Sequence, residues 1–588
     1  MKRFLATSSD PNTWNLNKPI IFLGEWCKKY SKKKNWEKLN YITADPYGIT
    51  NQEKEKDLNL SKSIEKELTS IIKNNLNKFH NLKYDERLWQ IILGPWLRRY
   101  SSLIVNRVNV LQKCILENEI NETAFYKINE NVLIANNSAD SVLYFENEIW
   151  NQCLNYQILK IINNKKINIK LINFKKKILL TKAKEFSFKE TIFRIIIFIS
   201  KFTNFLTLFN KIAIVNVYIN LRQQILLFLR LLNFPYMRFQ FKIDFNSKIN
   251  NNLRNSLTNY TINLKDDPSI NEIAIYLLFK ILPICYLEGF KELIKIKNNS
   301  IFPIKPKFIV TSVNLDTDEV FKLWVVDKIR NGSKLIVYQH GNNYGTSKYN
   351  YPSLDEIVSD KFITWGWKIN DEKYLASQIT NRYGLSKIQN YFKNSQNVLL
   401  VQNTINPSYH TEDVYCEFSN YFKNQMVFID KLNLKIRNNL IIRLHRATSL
   451  LNHYEENLKW KDSKFNLQID EGKLKFKKLL KKSKIIIFSY DSTGFLECLA
   501  YNIPSLAFWQ NDLSHMRESV KSDFEKLVKA EILFFSSKKI ADKVNNIYED
   551  VESWWNSDQI QNVRKDFCLK YANTHNPHPN IIIKNLLK

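Results

Sequence analysis

The chain has 588 residues, 44% of them hydrophobic and 13% aromatic, which excludes a largely disordered or fibrous protein and supplies cores for two or three domains. Its 87 Lys and Arg against 57 Asp and Glu leave a net charge of +30, a balance that attracts phosphates or an anionic membrane surface. With only 11 glycines and Asn, Lys and Ile throughout, part of that excess is compositional, and no specific nucleic acid partner is expected.

The opening MKRFLATSSD lacks the basic, apolar, small-residue order of a secretory signal, and a cytoplasmic location is expected. PIIFLGEW, 19–26, reads as a strand running into a loop at Gly24 and Glu25. Helical periodicity follows over 54–121 and again over 140–162. Between 188 and 232, Arg194, Lys201, Lys211, Arg222 and Arg230 break up the apolar runs FTNFLTLFN and IAIVNVYINL. No run reaches the roughly 18 uncharged residues of a spanning helix. Buried helices are expected there, or an interfacial helix at the inner face of the membrane. Further helices are expected over 255–300.

At 307 the texture changes: KFIVTSV as a strand, EVFKLWVVDKIRNG as a helix closed by Gly332, and SKLIVYQHG as a second strand. Strand, helix and strand within 35 residues, 307–341, mark a parallel sheet. DKFITWGW, 360–367, adds a short strand. NVLLVQNTI, 397–405, opens a second unit of this kind, continued by the strands NLIIRLH, SKIIIFSY and PSLAFW and the helix and strand of ESVKSDFEKLVKAEILFFSS. The expected class is therefore α/β, with two Rossmann-like parallel-sheet domains facing a cleft. The first, 1–380, carries a helical insertion over about 50–300; the second spans 395–555, and 556–588 forms a helical tail.

Open α/β sheets bind ligands outside the carboxyl ends of their strands. Polar residues collect there. LIVYQ delivers His340, Gly341, Asn342 and Tyr344, with the histidine placed as a general base or as a tie for its own loop. NLIIRLHRATS delivers Arg443, His445 and Arg446, a cationic cluster suited to phosphate or carboxylate. SKIIIFSYDSTGFLECLAYN sets Asp491, Ser492 and Thr493 at a helix N-terminus, where hydroxyls and open N–H groups cradle phosphate or simply cap the helix. Glu497, one turn on, is placed to accept sugar hydroxyls, and Trp509 to line the nucleotide side. Glu25 is a second choice of base, unless it pairs with Arg98 or Arg99, and His80 closes a helix that could bring it to the same cleft. No glycine-rich loop ends in G-K-[ST], and neither G-x-G-x-x-G nor H-E-x-x-H occurs. Seven scattered cysteines support no disulfide framework, and no metal site is expected.

FLATSS, IIFLGEWC, LNKFH, WQIILGPWL, YQHGNNYG, DKFITWGW and YDSTGFLECLAYNIPSLAFW, in that order, resemble a family of bacterial transferases of surface-carbohydrate biosynthesis defined from spirochaete proteins. More distantly, the second half resembles the B-type glycosyltransferase fold, including capsule glycosyltransferases and polyol-phosphate transferases. That resemblance implies a strand-end histidine facing the cleft at His340, donor phosphate at Ser492 and Thr493, and donor sugar at Glu497. The family has a second glycine where this chain has Asn342, which leaves the path of that loop open. The expected function is transfer of a sugar, such as an acidic sugar from a CMP-linked donor, to a glycan or lipid-linked acceptor, with no cofactor beyond the nucleotide-sugar itself. The alternatives are polyol-phosphate transfer of the CDP-glycerol type, and a non-catalytic carbohydrate- or nucleotide-binding protein.

Overall fold

A computed structural model describes residues 2–585, apart from 163–166, 175–211, 218–242, 244, 265, 301, 381–384, 386–394, 404–417, 446–454 and 511. Its strands are short apolar, β-branched runs, and every ladder between them is parallel. Runs such as IIF, FIVT and KIIIF suit strands buried on both faces.

They form three sheets rather than two. The first holds β1 (Arg3–Ala6), β2 (Ile20–Phe22), β3 (Tyr41–Thr43), β4 (Ile120–Lys127) and β5 (Asn168–Asn173) in the order β3-β2-β1-β4-β5. The second holds β6 (Ile212–Val215), β7 (Phe308–Thr311), β8 (Lys334–Tyr338), β9 (Lys361–Thr364) and β10 (Tyr374–Ala376) in the order β10-β9-β8-β7-β6. The third holds β11 (Asn397–Val401), β12 (Leu440–Arg443), β13 (Gln468–Asp470), β14 (Ser483–Phe488), β15 (Ser505–Phe508) and β16 (Leu533–Phe534) in the order β13-β12-β11-β14-β15-β16.

The α/β class is as expected, but the stretch read as a helical insertion is only partly helical. It contains α1 (Asn51–His80) and α2 (Glu86–Glu117), and also β4, β5 and β6. IAIV at 212–215, expected within a helix, is an edge strand buried on both faces and paired with β7. A four-residue apolar run carries no period that separates the two readings. Residues 188–211 and 218–232 lie outside the described residues. Among the described residues no helix is long and apolar enough to cross a membrane.

A capping box of Thr50 and Glu53 starts α1, and Asp85 caps α2. The second helix is apolar on most sides, with Trp89, Trp96, Tyr100 and Ile104 buried, because it passes between layers. It packs on α3 (Glu319–Arg330), which joins β7 to β8, and on α4 (Leu354–Val358). One continuous core thereby links the first two sheets with one face of the third, through Leu399 and Ile486. Their strand neighbours Val398, Leu400, Ile485 and Ile487 point into a separate core on the other face.

In the third sheet the strand order reverses between β11 and β14, and α5 (Thr493–Ala500) starts at the carboxyl end of β14. That reversal is where a doubly wound sheet opens a crevice. The tail helix α6 (Asp558–Tyr571) packs on α5, and the chain then returns to the second sheet, where Asn573 N–H donates to Trp365 O at 2.9 Å.

Candidate active site

His340 follows β8 directly, and its loop is held from beneath. The Gln339 side chain donates to Gly341 O at 2.9 Å and accepts from Trp365 N–H and Trp367 Nε1–H, each at 2.9 Å. The left-handed positions of this loop are Asn343, with φ 72°, and Gly345, with φ 71°. The path left open at Asn342 is thus settled without a left-handed residue there: the turn falls on Asn343, an asparagine, which tolerates that region better than most residues. At Gly345 a Cβ would stand 2.7 Å from the Trp367 ring, so glycine is required there twice over.

His340 lines a cavity of about 290 Å³ at the carboxyl ends of β7 and β8. Pro95, Arg98 and Arg99 of α2 cover it, spaced i, i+3 and i+4 on one helix face, and Val313, Asp316, Tyr344, Asn350, Ser353, Leu354 and Asp355 complete it. Tyr344 Oη lies 3.1 Å from His340 Nδ1 and donates to Asp355 Oδ2 at 2.7 Å. A phenol has one proton. With that proton given to the carboxylate, the phenol oxygen accepts from Nδ1–H, which leaves the lone pair of neutral His340 on Nε2. Burial pushes the Asp355 carboxyl up to about 6, partly offset by the Tyr344 bond and by Arg98 and Arg99.

The next residues of the loop touch the third sheet. Asn342 N–H donates to Thr493 Oγ1 at 3.0 Å, the Thr493 hydroxyl donates to Asn342 Oδ1 at 3.2 Å, and Asn342 Nδ2 donates to Asp491 O at 2.8 Å. A Cβ on Gly341 would meet Thr493 Oγ1 at 3.5 Å. Further along, Ser347 and Met516 form an antiparallel bridge, Arg517 Nη1 donates to Gly345 O at 2.9 Å, and the Arg517 guanidinium lies 3.5 Å over the Tyr351 ring. The strand end bearing His340 and the helix start at 492–493 are thus in direct contact.

The other sequence candidates divide. Ser492 caps α5, accepting from Phe495 N–H at 3.1 Å, so its hydroxyl takes the capping role set beside phosphate binding. The N–H groups of Thr493 and Gly494 remain at the helix end. Asp491 is buried behind this turn, with its carboxyl raised to about 6 by burial. Glu497, one turn along α5, is fully buried. Trp509 is also buried, edge-on to His515 at 5.3 Å and packed on Phe524, instead of lining an open face.

Arg443 does not line the cavity that holds His340. It pairs with Asp470 and donates to Leu474 O at 2.7 Å, at a strand end two positions from β14, roughly 10 Å across the sheet. His445 is exposed at the same end, and Arg446 lies outside the described residues. Glu25 pairs with Lys28 at 2.8 Å and is absent from the cavity lining, while Arg98 and Arg99 pair with Glu65 at 3.2 Å and Asp316 at 2.7 Å. His80 is tied to the interior, with Nε2 3.0 Å from Tyr286 O and the ring stacked on Phe290.

Sequence reasoning missed Asp355, and treated Arg98 and Arg99 only as partners for Glu25. The signal was present in GPWLRRY, where Pro95, Arg98 and Arg99 share a helix face, and in the S-x-x-E box of Ser353 and Glu356 that starts α4 around Asp355. His515 was passed over too. Burial lowers its pKa to about 4, so it is neutral at pH 7, and its 4.0 Å approach to Asp491 is not an ion pair. No group of His, Cys, Asp and Glu among the described residues has the arrangement of a metal site.

A family model described as LIC12162 family transferase matches residues 3–587. No curated protein matches the chain. Among solved structures, UDP-N-acetylglucosamine 2-epimerase from Rickettsia bellii aligns at 14% identity and a TM-score of 0.36, covering 64% of this chain and 95% of that one. MnaA of S. aureus with UDP aligns at 13% and 0.35, with the same coverage of 64% and 95%. The wall teichoic acid polymerase TagF aligns at 12% and 0.25, covering 48% of this chain and 72% of that one.

Proposed function

The chain belongs to the LIC12162 family of transferases, and on that premise we propose that it is a glycosyltransferase moving a sugar from a nucleotide-activated donor to a hydroxyl of a glycan or lipid-linked acceptor. One observation carries the reading. A strand-end histidine, 3.1 Å from the Tyr344 hydroxyl, lines a sugar-sized cavity, and its own loop meets a helix start at the switch point of another parallel sheet.

The acceptor occupies the cavity, where His340 Nε2 takes the proton of the attacking hydroxyl. The donor phosphate sits at the start of α5, where the Thr493 and Gly494 N–H groups and the helix end meet charge growing on the leaving group. The glycine at 494 suits this turn, since a Cβ would stand 2.9 Å from the Phe488 ring. No cofactor beyond the donor enters this scheme. Asn342, bound to Thr493 and Asp491, reports from one sheet to the other and keeps water from the reacting centre when the two are together.

The test is a donor screen with the released nucleotide identified. CMP-sugars or UDP-sugars should be consumed only with a glycan acceptor and yield CMP or UDP. Acceptor-dependent release of CMP from CDP-glycerol, with phosphate appearing in the product, would replace sugar transfer by polyol-phosphate transfer. Turnover of none of these donors would remove the proposal.

Tyr344 and Asp355 act through His340. Tyr344→Phe deletes the acceptor for Nδ1–H and should lower kcat roughly tenfold or more while leaving nucleotide affinity unchanged. Asp355 has its pKa raised to about 6, so it is charged above that pH and neutral below it. Once protonated it can donate its own proton to the Tyr344 oxygen, which turns the phenol proton toward Nδ1 and reverses the tautomer. Transfer should therefore fall as pH drops through about 6. Asp355→Asn, whose amide oxygen still accepts from Tyr344, should lose that part of the profile; an unchanged profile would detach Asp355 from the base.

A further inference from the structure

The two guanidinium groups that roof the cavity are largely uncommitted. Arg98 uses Nε on Glu65 at 3.2 Å, and Glu65 does not line the cavity. Arg99 uses Nη2 on Asp316 at 2.7 Å, while its Nη1 is enclosed and has no hydrogen-bond partner. Asp316 is half exposed, with 47% of its side-chain surface open, so its hold on Arg99 is a single solvent-screened contact that an incoming anion can displace. The second carboxylate of the lining, Asp355, already receives the Tyr344 proton. Neighbouring guanidinium forks with open edges match the planar oxygens of a carboxylate or the face of a phosphate, and their fixed geometry makes that match bidentate.

The apolar part of the lining, Pro95, Val313 and Leu354, offers a surface for the C–H face of a ring or a short polyol chain. At about 290 Å³ the cavity has room for one such unit and its anionic substituent, not for a nucleotide as well. His340 lines the same wall as Tyr344 and Asp355.

We propose that this cavity selects an acceptor unit bearing a carboxylate or phosphate, held by Arg98 and Arg99 so that a hydroxyl of the same unit meets His340. The inference rests on the transferase reading for the role of His340, but the binding event itself needs no donor and no turnover. The anion anchors the unit and the base takes the proton from the hydroxyl, so the charged group sets specificity without taking part in the bond exchange.

The test is histidine-selective ¹³C NMR of the full-length protein, with the His340 signal identified from its loss in His340→Gln. Sodium D-glucuronate and glycerol 1-phosphate serve as the anionic probes and D-glucose as the neutral one. At least one anion should shift the His340 signal saturably and raise its titration midpoint, because a bound anion near the ring favours imidazolium. Glucose should do neither at equal concentration. Arg99→Gln and Arg98→Gln should each weaken anion binding about tenfold or more, and the lysine variants should recover part of it. Circular dichroism and thermal melts establish that the variants are folded, and binding unaffected in both folded glutamine variants would overturn the proposal, as would equal responses to glucose and both anions. Wild-type acceptor-dependent transfer with no anion response removes this subsite and leaves the transferase reading. The selective anion response in a protein that turns over no donor removes that reading and leaves the subsite.

Discussion

Replacing His340 with alanine is expected to cut acceptor-dependent transfer by about 100- to 10,000-fold while nucleotide affinity stays within a few-fold. The reason is spatial. His340 stands in the cavity wall with Tyr344 and Asp355, whereas contact with the helix start is made by the residues after it, Gly341 and Asn342. Removing the imidazole takes away a proton acceptor and leaves the Thr493 and Asn342 hydrogen bonds in place. Steady-state kinetics and calorimetry on the same preparation separate the two effects. A rate near that of the wild type would move the base away from this strand end, and a loss of nucleotide affinity equal to the loss of rate would make His340 a donor ligand.

The largest expected effect on stability lies elsewhere. Lys322 and Glu319 of α3 form an ion pair at 2.9 Å with side-chain exposures of 0% and 1%. Glu319 also accepts from Tyr286 Oη at 2.7 Å, from Ser138 N–H at 3.1 Å and from the Ser138 hydroxyl, while Lys322 Nζ donates to Tyr286 Oη at 3.1 Å. Three distant segments of chain meet in this cluster. Lys322→Ala leaves a buried carboxylate without its cation and is expected to lower stability by about 3–5 kcal/mol. Urea denaturation measures it. Glu319→Leu combined with Lys322→Met should recover much of the loss, because the cost lies in the unpaired charge rather than in the absence of the pair. A single variant as stable as the parent would mean that water reaches Glu319.

Much of this architecture is legible in the residues. LIVYQHG and KIIIFSYDST announce a strand and the turn after it, since an unbroken apolar run followed by small polar residues has few other solutions in an α/β chain. The first sheet was harder to read. Its strands β1 and β2 have four and three residues, and α1 and α2 separate β3 from β4, so the helical signal over 54–121 hid a sheet that closes around it. IAIV was ambiguous because strand and buried helix favour the same residues over so short a length. For the site, sequence placed His340 and Thr493 at strand and helix ends but not which hydroxyl would cap and which would cross to the other sheet. Those choices turn on distances of one or two ångströms. The roles of Asp355, Arg98 and Arg99 depend on α2 packing on α3 and α4 beside His340, a long-range contact that no local pattern announces.

The return of the tail to the second sheet has a mechanical consequence. Ile379 N–H donates to Asn573 O at 2.7 Å, Ser377 Oγ to Pro577 O at 2.9 Å, and Asn573 N–H to Trp365 O at 2.9 Å. The two places where the chain passes between the second and third sheets therefore lie side by side, stitched to each other. Sliding of one sheet past the other along this line would have to break all three of these hydrogen bonds together, whereas rotation about it would strain them least.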